Sequence, residues 1–333
     1  MIRIGYFADG PWGIQTLEKI LANKSIHTCF VIPRYSNPDK KLIELAQRND
    51  IPTKIIENVN SEDARNWIQK QKADLHVSMS FDQIIKNDLL HMTKLGFINC
   101  HAGMLPFYRG RNILNWALAF EESHVGVTVH HIDNGIDTGD IVRQDQVSIF
   151  QDDHYGTLLE KVTAQCSKTL YSAILDFKNG TQQRIPQKNI HTEGFYCGRR
   201  RKGDEWIDWN HKSKDIHNFI RSIHPPGPGA QTIYNDENIV ILESSYNSQI
   251  PHHPGTPGEV TGRHDRGVLV KTGDSALLIS KVANISPSGQ IENIRTPRHR
   301  IGSRFGLNII DEIVSLKKTI QKLKTELKEK NLY

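Results

Sequence analysis

The sequence predicts an α/β protein. The expected layout is a Rossmann-like, mostly parallel sheet with an appended β-hairpin, then a small β-barrel (OB-like) domain and a C-terminal helix. Three observations predict it. Over the first hundred residues short apolar runs alternate with helix-like stretches, the pattern of a parallel sheet with helices on both faces. After Trp206 the apolar runs shorten and Gly and Pro separate them, as in small β domains. The tail repeats apolar residues at steps of four and three. With 333 residues the chain is long enough for two domains. The expected division is 1–180, a connector 181–205, a second domain 206–300 and a tail helix 307–333.

Taken in order, residues 2–8 (IRIGYFA) read as a buried first strand. It opens into Asp9-Gly10-Pro11-Trp12-Gly13 and a helix from Ile14 to Leu21. Strand, Gly loop and helix can cradle a phosphate, which makes Gly10 and Trp12 candidate substrate contacts. The full dinucleotide fingerprint is absent, so a plain strand-to-helix turn is the other reading. Strands follow at Thr28–Ile32, Ile51–Ile56, Leu75–Ser78 and Phe97–Asn99, with helices at Lys41–Arg48 and, behind a Ser61 cap, Ser61–Gln71. After a helix at Asn112–Phe120, the runs Val125–Ile132 and Ile141–Ile149 suit an added hairpin. Tyr155–Phe177 is a long amphipathic helix that ends before Asn179-Gly180. The connector holds Arg199-Arg200-Arg201-Lys202, either a solvated linker or a loop facing phosphate. Beyond it come a helix at Ser213–Ile223 and strands at Ala230–Tyr234, Ile239–Glu243, Gly258–Thr261, Val268–Lys271 and Ala276–Val282.

Composition bounds the function. Charged residues make up 24% and hydrophobic ones 37%, and the net charge of +5 suits an anionic substrate without demanding nucleic acid. The N-terminus lacks a signal-peptide layout and no run approaches a membrane span, so no membrane partner is expected. Cys29, Cys100, Cys166 and Cys197 lie in unrelated contexts, which points to reduced thiols and a cytoplasmic protein. There are 16 His but no HExxH or CxxC, so no metal is expected. His130-His131 are neighbours that point apart in a strand.

The stretch Phe97–Val142 carries the chemistry. Asn99 and His101 alternate with Cys100, which puts both on one face of an extended segment. Asp137 lies in a Gly-framed turn, Gly135-Ile136-Asp137-Thr138-Gly139, that joins the two hairpin strands. Closing the hairpin brings Asp137 beside His101. Between them, Leu105-Pro106-Phe107-Tyr108-Arg109-Gly110-Arg111 offers two guanidinium groups suited to phosphate. Each feature also has a plain reading: a satisfied polar residue beside a strand, turn chemistry, solvated arginine.

The pattern N-x-H-x-x-x-L-P-x-Y-R-G, followed by D-T-G-D-I, resembles the folate-dependent formyltransferases. That family includes the methionyl-tRNA, glycinamide ribonucleotide and nucleotide-amino-sugar enzymes. Asn99, His101 and Asp137 match its Asn-His-Asp catalytic set, and the likeness runs from Ile2 to about Leu307. It includes Pro257-Gly258-Glu259-Val260 and Thr272-Gly273-Asp274 in the second domain. The resemblance implies N10-formyltetrahydrofolate as co-substrate. In the family it sits against the turn after the fourth strand and the loop before the catalytic Asp. Here those positions are Met79, Ser80, Phe81, Asp82, Gln83 and Ile84, with Asp133, Gly135 and Ile136.

Two features bear on the acceptor. The tRNA enzymes carry a long basic insertion after the second strand, whereas here Pro33–Lys40 (PRYSNPDK) is short. The loop Arg109-Gly110-Arg111-Asn112-Ile113-Leu114-Asn115-Trp116 is similar to the nucleotide-sugar enzymes, as are Trp206-Ile207-Asp208-Trp209, Ile220-Arg221 and Pro226–Ala230. The resemblance therefore implies a nucleotide-linked amino sugar as partner, of the kind used in surface polysaccharide (lipopolysaccharide, O-antigen) synthesis. No nucleic acid is expected, and Tyr108, Arg109, Arg111 and Asn112 are the substrate contacts. Methionyl-tRNA formylation is the alternative. A non-catalytic scaffold working through the tail is an alternative of another class. In the tail, Ile309, Ile313, Leu316, Ile320, Leu323 and Leu327 form a seam of about three heptads. A homodimeric coiled coil is expected; a helix packed on its own chain is the other reading.

Overall fold

A computed structural model describes every residue except 236, 287, 308 and 330–333, and the side chains of 309, 311 and 329. The last four residues of the expected tail helix therefore lie outside the described residues. The chain divides into two compact units, Met1–Arg201 and Lys202–Tyr333.

The first unit begins with β1 (Ile2–Ala8), α1 (Gly10–Leu21), β2 (Ile26–Ile32), α2 (Lys40–Arg48), α3 (Glu62–Lys70) and β3 (Leu75–Met79). It continues with α4 (Asn87–Leu90), β4 (Phe97–His101), β5 (Arg109–Gly110), α5 (Ile113–Ala119), β6 (His124–His131), β7 (Ile141–Ser148), α6 (Tyr155–Asn179) and β8 (Tyr196–Cys197). The main sheet runs β2-β1-β3-β4-β6-β7. Its first four strands are parallel, and β6 and β7 add antiparallel as a hairpin on the β4 edge. β1 to β4 are almost wholly buried, because helices cover both faces of the sheet. On one face Leu17, Leu42, Leu114, Leu158 and Leu170 join the strand core. On the other Phe7, Phe30 and Phe97 pack with Ile68 and Leu89.

α1 starts at Gly10, four residues earlier than expected, because Pro11 is well tolerated in a first helical turn. The expected strand Ile51–Ile56 is absent. Only Thr53 bridges to β2, where Val31 N donates to Pro52 O and Lys54 N to Val31 O. A proline has no N–H to extend that ladder. Nor does the expected connector stand apart. Through Arg201 it belongs to the first unit, with Ile185 bridged to Ile141 and Tyr196–Cys197 paired to Arg109–Gly110.

In the second unit α7 (Ser213–Ser222) packs on an antiparallel sheet of β9 (Ala230–Tyr234), β10 (Glu237–Ser245), β11 (Val260–His264), β12 (Gly267–Lys271), β13 (Ala276–Ile285) and β14 (Ile291–Arg295). Bulges bend β10 where it pairs with β13. β14 is a sixth strand that the sequence does not announce, since its side chains are mostly exposed and show no apolar alternation. The last element is α8 (Ile309–Glu329).

Candidate active site

Four polar side chains share one face where β4 meets β6. Asn99 pairs with His130 and His101 with Thr128 in the antiparallel register, so all four project to the same side. His130 Nδ1 donates to the His131 carbonyl at 2.8 Å, which leaves Nε2 to accept from Asn99 Nδ2 at 3.3 Å. That fixes the Asn99 amide and keeps its second N–H for another acceptor. His101 Nε2 donates to the Tyr108 carbonyl at 2.7 Å. The neutral ring therefore carries its proton on Nε2 and its lone pair on Nδ1.

Asp137 faces both histidines, 3.5 Å from His101 Nδ1 and 3.5 Å from His130 Nε2. Its backbone sits in the left-handed region, φ 54°, a conformation that needs outside support. The supports are visible. Gly110 N donates to Asp137 Oδ2 at 2.9 Å, and Gln187 Nε2 donates to the carbonyls of Asp137 and Gly139 at 2.8 and 2.9 Å. A side chain at Gly139 would meet the His131 carbonyl at 1.9 Å, so only glycine closes this turn.

The electrostatics follow from this packing. Burial opposes ionisation of Asp137, but at the low pH where it would titrate a hydrogen bond from protonated His130, the charges of protonated His101 and His130 and the Gly110 N–H together hold its carboxyl well below the usual carboxylate range. Burial lowers the His101 pKa from its ordinary value, against the raising effects of Asp137 and the Tyr108 carbonyl. At neutral pH His101 is thus an uncharged base beside a fixed carboxylate. Taking a proton at Nδ1 turns the 3.5 Å contact into an ion pair.

The structure sorts the other sequence-derived candidates. Tyr108 contributes its backbone here, for its hydroxyl donates to Glu122 and its ring packs on Phe195. Arg109 is tied to Gln187 Oε1 through Nε and Nη2 at 3.2 and 2.6 Å. Asn112 braces α5 against the connector, donating to Asn115 and accepting from Arg200 N. Arg111 is exposed and, among the described residues, its guanidinium has no partner. Of the two readings of Asp9–Gly13, the strand-to-helix turn fits better. Asp9 is buried and accepts from Asp39 N, Pro11 has no N–H to offer, and Trp12 packs on the core.

In the turn after β3, Met79 is buried and Ser80 is held by Arg34, whose Nε and Nη2 donate to its carbonyl and hydroxyl at 2.7 and 2.6 Å. Gln83 is spent on Val59 N and Ile56 O, Phe81 packs on Phe7, and Asp82 is exposed. Asp133 accepts from Gly135 N and Thr138 Oγ1 and so shapes its own turn. Ile84 and Ile136 are left 68% and 56% exposed, apolar side chains in turns on either side of the β4 end. Sequence reasoning missed His130 and Gln187. The signal for His130 was its register opposite Asn99; a lone Gln fifty residues beyond Asp137 gave none.

A concavity of about 560 Å³ lies away from this group. It is lined by Arg3, Lys24 and Lys72, among others, at the opposite edge of the sheet. There Arg3 donates to the carbonyls of Gln71 and Lys72 just past the end of α3, a structural use of its charge.

A polar cluster at the carboxyl ends of the strands of a parallel sheet marks the ligand-binding edge of an α/β enzyme. Residues 7–174 match the formyl transferase family and residues 200–290 match the formyl transferase C-terminal domain. The methionyl-tRNA formyltransferase of Clostridium acetobutylicum is 30% identical over 289 residues, which is 85% of this chain and 92% of that protein. The chain belongs to the formyl transferase family, and it is a formyltransferase. Two solved structures share its fold. WlaRD, a sugar 3N-formyl transferase solved in the presence of dTDP and 5-N-formyl-THF, aligns with a TM-score of 0.60 and 24% identity, covering 84% of this chain and 97% of that one. The N-formyltransferase from Helicobacter canadensis, in complex with folinic acid and dTDP-3-aminofucose, aligns with a TM-score of 0.57 and 24% identity over 84% and 99%.

Proposed function

We propose that this chain moves a formyl group from N10-formyltetrahydrofolate to the amino group of a nucleotide-linked amino sugar, in the cytoplasm, for surface polysaccharide synthesis. The observation that carries the chemistry is the meeting of Asn99, His101, His130 and Asp137 at one sheet edge. The co-substrate supplies a formyl carbon bound to nitrogen. Ile84 and Ile136 suit a flat ring system, since both leave apolar surface in solvent in turns flanking that edge. His101 Nδ1 takes the proton that the attacking amine must lose and gives it to the folate nitrogen as its bond to the formyl carbon breaks and tetrahydrofolate leaves. Asn99 gives its second amide N–H to the negative charge that develops on the formyl oxygen. Asp137 stabilises the charged His101 and does not move, being pinned by Gly110 and Gln187. Arg111, exposed and without a side-chain partner among the described residues, is the guanidinium we assign to the diphosphate.

The acceptor rests on separate features. The loop 33–39 is short, and its one basic side chain, Arg34, is engaged by Ser80, so it presents no basic arm. The two neighbours of similar fold were solved with dTDP or a dTDP-sugar. A second reading, methionyl-tRNA formylation, is favoured by the 30% identity to the clostridial enzyme across both domains.

Formyl transfer from N10-formyltetrahydrofolate to a panel of nucleotide 3- and 4-amino sugars, with initiator methionyl-tRNA alongside, separates the two. Turnover on one sugar and none on tRNA is expected. Turnover on tRNA alone, with a steep loss of binding as salt rises, establishes the second reading.

A further inference from the structure

The helix α8 lies beyond both matched family regions, which end at residue 290, and none of the proposed chemistry uses it. Its seam residues Ile313, Leu316, Ile320, Leu323 and Leu327 are between 39% and 52% exposed. The seam is therefore not packed on its own chain, which removes one of the two readings that the sequence left open. We propose that α8 joins two copies of this chain as a parallel, two-stranded coiled coil in register.

Three features name a second copy as what covers the seam. The apolar positions follow steps of four and three along 21 helical residues, a two-position stripe that suits another helix. Ile313 and Ile320 take the a positions and Leu316 and Leu323 the d positions, the branching pattern that favours two parallel strands. The flanking charges then select the direction. Glu312 is at g and Lys317 at the following e, so a parallel pair sets Glu312 of each copy against Lys317 of the other. An antiparallel pair would bring e against e and g against g, placing lysines 317 and 324 together and glutamates 312 and 326 together. Like charges oppose that arrangement.

The surface outside the seam is rich in lysine, at 317, 318, 322, 324 and 328, which raises an anionic membrane as the competing occupant. The helix has no aromatic residue, and outside the seam its exposed apolar side chains are Ile310 and Val314, both in its first two turns. An interfacial helix has a wider apolar face, often with Trp or Phe.

The test is sedimentation of the full chain over a range of concentrations. A dimer mass is expected, falling to the monomer mass in the Leu316→Lys, Leu323→Lys double variant with formyl transfer unchanged. For direction, Leu323→Cys should give a disulfide-linked dimer on mild oxidation, because a parallel register sets residue 323 opposite itself. Cys29, Cys100 and Cys166 are buried, and the unsubstituted chain serves as the control for Cys197. Glu312→Lys should weaken the dimer and the added Lys317→Glu should restore it. A chain that stays monomeric at every concentration, or a dimer untouched by the lysine pair, overturns the proposal. Absence of the cross-link, or failure of the charge swap to rescue, overturns the parallel register. Monomers that co-sediment with phosphatidylglycerol vesicles would instead place α8 on an anionic membrane.

Discussion

The turn carrying Asp137 and the helix α8 are fixed in opposite ways. The turn is irregular, with a left-handed φ at Asp137 and a glycine that no side chain can replace. Hydrogen bonds from Gly110 and Gln187, on two other segments of the first unit, hold it in place. α8 is regular along its whole length and leaves its apolar seam in solvent. A carboxylate proposed to steady a base must be held to a fraction of an ångström, so its setting is over-determined. An assembly surface needs only a repeated pattern that a second copy can read.

That contrast makes the site sensitive to single substitutions and the helix insensitive in catalysis. His101→Ala should cut turnover most, by about 100- to 10,000-fold, because the base proposed to act on the amine is lost. Asn99→Ala should cost about 100- to 1000-fold as one donor to the developing negative charge disappears. For both, donor binding measured by fluorescence or calorimetry should stay near that of the unsubstituted chain, which separates a chemical role from misfolding. Asp137→Asn keeps the shape but not the charge and should lower turnover about 100-fold. Gln187→Ala touches no reacting group. It strips Arg109 and two carbonyls of their partner, costs about 1–3 kcal/mol of stability in thermal unfolding, and lowers turnover roughly tenfold by loosening the turn. The lysine pair in α8 should leave kcat unaltered; a large loss there would join the two regions that this comparison keeps apart.

The two regions also differ in what could be read from sequence. Asn99 and His101 were legible because a period of two is local, and α8 because a heptad is local. Asp137 was legible only through the hairpin that returns it to β4. His130 was set aside as one of two neighbouring histidines pointing apart. They do point apart: His131 packs on Phe177 while His130 faces Asp137. What was missing was the register that sets His130 opposite Asn99. Gln187 was illegible for the same reason, since its contacts are all non-local. Arg109 and Asn112, expected as substrate contacts, also brace the connector that the sequence presents as a separate segment. Ile51–Ile56 misled in the other direction, for an apolar run with Pro52 in it pairs at a single residue.

The central claim is that His101 takes the proton at Nδ1 with the Asp137 carboxylate fixed beside it. The measurement that tests it most directly is the pH profile of kcat/KM for the unsubstituted chain and for Asp137→Asn. His101 must be neutral to act, and burial lowers its pKa. Activity should therefore rise with pH along an acid limb below the ordinary histidine range. Asp137 is the strongest influence raising that pKa, so removing its charge should move the limb to still lower pH while the plateau falls. A limb that stays where it was, or moves to higher pH, would contradict the account.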